Sequence, residues 1–209
     1  MKNKVRCELL TWGEINRLAR RLARLVQTSG YHPDIIIAIA RGGYVPARLV
    51  CDFLDIYNLT SIRVAHYAAG SHKQQTARLS SPLNIDVHGL RVLIVDDVSD
   101  TGDTLQVTLE HVHSFNPAEV KIGVLHHKIV SDIEPDFYAK KITKWRWLIY
   151  PWAITEDLCG FIAAMEPPPK SITEAGERLK IDHGINASQT MLKDAYALLP
   201  PASCRTTKT

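Results

Sequence analysis

The chain has 209 residues, of which 45 % are hydrophobic, and a formal charge of +3 from interspersed basic and acidic groups. That composition suits a globular protein of about one domain and excludes a disordered chain. So small and mixed a charge gives no case for a nucleic-acid or membrane surface. Cys7, Cys51, Cys159 and Cys204 show no C-x-x-C spacing, and a chain of this size needs no disulfide staples, so free thiols in a reducing compartment are expected. The start, MKNKVRCELLTW, has no apolar signal stretch, and no segment is long enough to span a bilayer. A cytoplasmic protein is expected.

Thr11-Trp12-Gly13-Glu14 has capping-box form, and Ile15, Leu18, Leu22 and Leu25 follow at helical spacing. A first helix is predicted to about Ser29, ended by Gly30. Asp34 to Ala40 is short, apolar and β-branched, as a strand buried on both faces requires. Arg41-Gly42-Gly43 is a turn, with Pro46 in the first turn of a second helix. Ser61 to Tyr67 reads as a strand, and 68–90 as a polar loop without period. A loop of that length points to function or mobility. Arg91 to Val95 is the second apolar strand, followed by a loop and a helix from about Asp103 to His113. Val120 to Leu125 is the third, and Trp147-Leu148-Ile149 a further strand ending at Pro151.

Strands alternating with helices predict an α/β fold with a mostly parallel central sheet, whose ligands bind at the carboxyl ends of its strands. After Glu166, Pro167-Pro168-Pro169 reads as a linker, and Ser171-x-x-Glu174 and Ser188 to Leu199 as two short helices. The expected division is a main domain over 1–166 and a helical tail over 167–209.

The richest segment is Val92 to Leu105, VLIVDDVSDTGDTL. Two carboxylates, Asp96 and Asp97, at the mouth of a sheet repel each other unless a cation or polyol binds them. A ribose diol and hydrated Mg²⁺ would satisfy both, since Mg²⁺ favours one or two carboxylates plus substrate oxygens and water. Ser99 to Thr104 then open a helix, where free amides, Gly102 and the Thr101 and Thr104 hydroxyls form a phosphate cradle. Diol, metal and phosphate sites within one turn of chain describe a phosphorylated sugar. The loop brushes the EF-hand pattern, but Thr108 stands where the bidentate Glu belongs, and no G-K-[ST] follows to make a P-loop.

This segment resembles the motif of type I phosphoribosyltransferases: four apolar residues, two acids, a hydrophobic residue, two variable positions and Thr-Gly-x-Thr. The resemblance implies a parallel sheet flanked by helices, with a mobile lid loop and a small hood. It implies a phosphoribosyl pyrophosphate (PRPP) site of Asp96, Asp97, Val98, Ser99, Asp100, Thr101, Gly102, Asp103 and Thr104. In it, Asp96 and Asp97 hold the ribose hydroxyls and Mg²⁺, and residues 99–104 hold the 5′-phosphate. Ala40-Arg41-Gly42-Gly43-Tyr44-Val45-Pro46 resembles the pyrophosphate loop of the bacterial xanthine-guanine and archaeal 6-oxopurine branches. Its glycines admit the anion close to the backbone, and Arg41 can donate a charged fork. In the 68–90 loop, Tyr67 and Lys73 match lid residues that touch the diphosphate, with Arg78 competing for the basic role.

Lys128 stands where the 6-oxopurine branch carries a lysine bonded to the purine O6. An ammonium is a pure donor and prefers a carbonyl to an exocyclic amine, which favours guanine, hypoxanthine or xanthine. His126 and His127 are packing or surface residues rather than a metal pair, because neighbours on a strand point to opposite faces. Trp147 to Trp152 resembles the W-x-x-x-P-W segment of the same branch, in which the first Trp stacks on the purine and the next residue, here Leu148, offers backbone polar groups. Trp145 is the alternative stacker, and either ring could instead belong to the core. Ile149 and Ala153 depart from the branch, standing where the bacterial xanthine-guanine enzymes carry acids.

The implied reaction displaces pyrophosphate from the anomeric carbon of PRPP by a purine nitrogen, with Mg²⁺ neutralising the leaving group and Asp100 as base or N7 partner. PRPP and a purine base are the expected partners, and a homodimer or higher homo-oligomer the family habit. Rival readings are an adenine or pyrimidine enzyme, a nucleotide-sensing regulator, or a sugar-phosphate binding module.

Overall fold

The protein is described by a computed structural model over residues 5–68 and 75–199. In chain order the elements are β1 (Cys7–Leu9), α1 (Trp12–Thr28), β2 (Ile35–Ala40), α2 (Tyr44–Leu54), β3 (Leu59–Ala68), β4 (Gln75–Ser81), β5 (Arg91–Ser99), α3 (Asp103–His113), β6 (Glu119–Lys128), β7 (Phe137–Ile142), β8 (Trp147–Ile149), α4 (Ile154–Ala163), α5 (Ile172–His183) and α6 (Gln189–Leu198). They fall into two compact units, one of residues 13–145 and one of 1–12 with 146–209.

The larger unit holds a six-stranded sheet in the order β4-β3-β2-β5-β6-β7. All its pairings are parallel except that of β4 with β3. This is the α/β architecture the alternating pattern predicts. Ile35 to Ile39 are all buried, as a strand covered on both faces must be. On one face Ile37, Ile39, Ile94, Ile122 and Val124 share a core with Leu105 and Val112 of α3. On β6 the lack of a side chain at Gly123 lets Leu22 of α1 approach, so that a Cβ there would lie 3.3 Å from its Cδ1. From β2 the chain leaves to β3 on one side, and β5, β6 and β7 run out on the other. The gap between the ends of β2 and β5 is therefore the topological switch point, where open α/β sheets bind ligands.

The structure corrects several sequence expectations. Residues 68–90 are not one unbroken loop, because β4 occupies Gln75–Ser81. An edge strand takes its hydrogen bonds from one neighbour, and the polar run QTARLSS gives little alternation to read; Leu79 packs on the core. Strand β5 continues past Val95 to Ser99, and β6 past Leu125 to Lys128, because each supplies the other with pairing partners at Asp96↔Val124, Val98↔His126 and Ser99↔His127. Strands β1 and β7 and helix α4 were not anticipated.

In the smaller unit β8 pairs in parallel with β1, with Glu8 opposite Leu148. Helices α4, α5 and α6 surround a core of Ile149, Leu158, Ile162, Leu179 and Leu192. The two tail helices start at serine caps, with Ser171 Oγ accepting from Glu174 N–H and Ser188 Oγ from Met191 N–H. Gly184 closes α5 in the left-handed conformation at φ 75°. Among the described residues no helix is long and apolar enough to cross a membrane.

Candidate active site

The switch point brings the Arg41–Gly43 turn against the end of β5. A Cβ on Gly42 would lie 2.5 Å from Asp97 Oδ2, and one on Gly43 would lie 2.5 Å from the Val95 carbonyl and 2.7 Å from that of Ile39. A side chain at Gly42 would have to displace the Asp97 carboxylate, and one at Gly43 would run into main-chain atoms of β2 and β5. Gly43 N–H donates to Ile39 C=O at 2.8 Å, which folds the turn back over β2. The Ala40–Arg41 peptide is cis, and Arg41 is exposed.

Asp96 is 8 % exposed and Asp97 is half-buried beside it. Asp97 N–H donates to Asp96 Oδ1 at 2.9 Å. Burial, and after it the charge of Asp97, pushes the Asp96 carboxyl well above the ordinary carboxylate range. A cation placed against this pair offsets both costs. Among the described residues no three His, Cys, Asp or Glu side chains gather into a metal cluster. A metal held by Asp96 and Asp97 would complete its shell with substrate oxygens and water.

The loop from Val98 to Thr104 joins the acid pair to α3. Ser99 is buried, with its hydroxyl 2.6 Å from that of Ser131. Gly102 adopts φ 101°, and a Cβ there would lie 3.1 Å from Ile133 N, so the loop is wedged against residues 131–133. Asp132 N–H fixes it by donating to Thr101 C=O at 2.9 Å. The Thr101 hydroxyl donates to Asp103 Oδ2 at 3.0 Å and accepts from Asp103 N–H at 3.4 Å. Helix α3 starts at Asp103, so its positive dipole end follows directly on the Val98–Gly102 loop.

Lys128, at the end of β6, is only 3 % exposed. A buried ammonium needs a partner, and Nζ lies 2.6 Å from Asp100 Oδ2. Trp145 joins them. Its indole N–H donates to Asp100 Oδ1 at 3.2 Å, and Lys128 Nζ sits 4.6 Å from its ring centroid. Sequence reading considered Trp145 as a stacking ring or a core residue. Its separation of 45 residues from Asp100 left no local signal for the hydrogen bond. His126 and His127 are buried, and burial lowers the His127 pKa. Arg78 is exposed on β4, whereas Lys73 and the side chain of Tyr67 lie outside the described residues.

Trp147 and Leu148 belong to the smaller unit. Trp147 is 40 % exposed, and its indole N–H donates to Asp157 Oδ1 at 3.1 Å. Burial raises the Asp157 pKa to about 6, the Trp147 bond opposing it. Asp157 is a second partner that sequence reading missed. Trp147 N–H donates to Arg6 C=O, and Ile149 C=O accepts from Leu10 N–H. By strand alternation the N–H and C=O of Leu148 point to the opposite edge of β8.

An acid pair, a close glycine turn and a helix N-terminus at a sheet's switch point define a doubly wound α/β protein, a class in which that point is where ligands bind and a helix N-terminus suits an anion. The family model described as phosphoribosyl transferase domain matches residues 7–156. The xanthine-guanine phosphoribosyltransferase of Ruegeria sp. is 31 % identical over 153 residues, covering 68 % of this chain and 83 % of its own. A purine phosphoribosyltransferase structure from Pyrococcus horikoshii is 36 % identical with a TM-score of 0.62, covering 70 % of this chain and 93 % of its own. A Neisseria gonorrhoeae protein solved with bound ppGpp is 27 % identical with a TM-score of 0.63, covering 71 % and 89 %. The chain belongs to the type I phosphoribosyltransferase family, in its 6-oxopurine branch.

Proposed function

We propose that the protein is a purine phosphoribosyltransferase that transfers the 5-phosphoribosyl group from PRPP to guanine, hypoxanthine or xanthine and releases pyrophosphate, a purine-salvage reaction. The observation that carries this reading is the pairing of the buried Lys128 ammonium with the Asp100 carboxylate at 2.6 Å. A donor beside an acceptor matches the adjacent O6 and N7–H of a 6-oxopurine. Adenine would present its amino group to the ammonium, donor against donor.

In this reading Asp96 and Asp97 hold the ribose hydroxyls and Mg²⁺. The Val98–Thr104 loop and the α3 amides hold the 5′-phosphate, and Arg41 with Gly42 and Gly43 holds the diphosphate. When bound, Mg²⁺ neutralises charge on the departing diphosphate. The purine N9 lone pair forms the bond to the anomeric carbon, and the carbon–oxygen bond to pyrophosphate breaks with its electron pair leaving on oxygen. Asp100 takes the proton from N7, restoring a neutral base. The ppGpp held by the Neisseria relative is a guanine nucleotide, which supports a guanine-type ligand here.

The test is a panel of guanine, hypoxanthine, xanthine, adenine and uracil incubated with PRPP and Mg²⁺. Nucleotide should form with at least one 6-oxopurine and stop in EDTA. Nucleotide from adenine or uracil alone, or from no base, would overturn the reading.

A further inference from the structure

We propose that Trp145 is a positioning residue for the base half of the site, acting through Asp100 and Lys128. The inference rests on the function proposed above, because those two residues are the ones assigned to the purine edge. Asp100 sits in the connection between β5 and α3, and its side chain is 35 % exposed. Nothing in a loop fixes the plane of such a carboxylate, since the last torsion of an aspartate is broad and roughly two-fold. Here each oxygen has its own donor: Lys128 Nζ on Oδ2 at 2.6 Å and Trp145 Nε1 on Oδ1 at 3.2 Å. Two donors on two oxygens lock the plane and leave the remaining lone pairs for a ligand proton. The same indole carries the Lys128 ammonium 4.6 Å from its ring centroid, within cation–π range. Trp145 therefore ties together groups from the ends of β5 and β6, which the sheet brings near but does not orient.

A Trp that only stacked on a purine would act independently of Asp100, and a Trp that only filled space would act through stability. At 47 % exposed, Trp145 is poorly placed for the second. The experiment compares the unsubstituted protein with Trp145→Phe, Asp100→Asn and the double variant, using radiolabelled hypoxanthine, guanine and xanthine with PRPP and Mg²⁺. Trp145→Phe keeps an aromatic face and removes the N–H. It should melt within a few degrees of the unsubstituted protein, lower kcat about 5- to 10-fold and leave KM for PRPP within about two-fold. In the Asp100→Asn background the same change should alter kcat less than about two-fold, because the partner it orients is already lost. Full additivity of the two losses, or a raised base KM with kcat intact, would overturn the positioning role while the enzyme assignment stands. Absence of turnover by the unsubstituted protein with every base would overturn both.

Discussion

Gly42 and Gly43 are neighbours in one turn, yet alanine at each should fail differently. A Cβ on Gly42 would lie 2.5 Å from Asp97 Oδ2 and 2.7 Å from Oδ1 and Cγ. Relaxed C···O contacts are about 3.3–3.6 Å, so the carboxylate must retreat by roughly 1 Å. Asp97 is half-buried and can retreat by rotating its side chain, which spares the backbone. The proposed ribose and metal contacts are then misplaced by that ~1 Å, a displacement that costs on the order of 10²-fold in kcat/KM, or about 2.7 kcal/mol of transition-state stabilisation. A Cβ on Gly43 would instead meet Val95 O at 2.5 Å, Ile39 O at 2.7 Å and Ile39 N at 2.9 Å. All three are main-chain atoms of the adjacent strands β2 and β5, and none can rotate away. Overpacking of this kind costs about 3 kcal/mol, which lowers Tm by roughly 6–12 °C in a protein of this size. Thermal melts by circular dichroism and initial rates of pyrophosphate release separate the two. Gly42→Ala should melt close to the unsubstituted protein and lose activity, and Gly43→Ala should melt far lower. A fully active Gly42→Ala would remove Asp97 from the site, and an unshifted Gly43→Ala would refute the close approach of the turn to the sheet.

Asp100→Asn should lower kcat by about 10²-fold or more while base KM changes little, as general-base loss does; initial-rate kinetics that show equal losses in both would argue against the role. Lys128→Met should raise base KM about 10- to 100-fold, the worth of one charge-assisted hydrogen bond of roughly 1.5–3 kcal/mol, with KM for PRPP unchanged. The Arg91 side chain, bonded to Asp34 through Nε at 3.1 Å and Nη2 at 2.9 Å, lowers the Asp34 pKa to about 2. A depressed carboxylate contributes stability above its unfolded value that is lost as pH falls through the folded one. Urea midpoints of the natural chain should therefore fall more steeply from pH 4 to pH 2 than those of Asp34→Asn. The pair is well exposed, so the difference should be small. Asp157, raised to about 6, has the opposite sign: the native state holds the extra proton, so stability should decline as pH rises from about 4 to 6. Asp157→Asn should flatten that slope.

What could be read from the sequence was what local chemistry dictates. The apolar run Ile35 to Ile39 can only be a strand covered on both sides, and the structure buries it so. The Asp96–Thr104 segment carries its acids, its glycine and its helix start within one stretch, so those residue types and the start of α3 at Asp103 were legible locally, while its path was not. Strand β4 escaped because an edge strand owes its existence to a neighbour rather than to its own pattern. The extension of β5 to Ser99 escaped for the same reason, since the pairing groups lie on β6. The Trp145 contact escaped because 45 residues separate its ends. Such contacts follow from strand order alone. Because β2 pairs with β5, the glycine turn after Ala40 must meet the acids after Val95. Because β6 lies beside β5 and β7 beside β6, the chain leaving β7 returns over the ends of both, where it can reach Asp100 and Lys128 together. The sheet thus sets which groups can meet, and the loop side chains set how they are aimed. Exchanging the aim, as at Trp145, should therefore change turnover and leave the fold standing, whereas exchanging the spacing, as at Gly43, should disturb the fold itself.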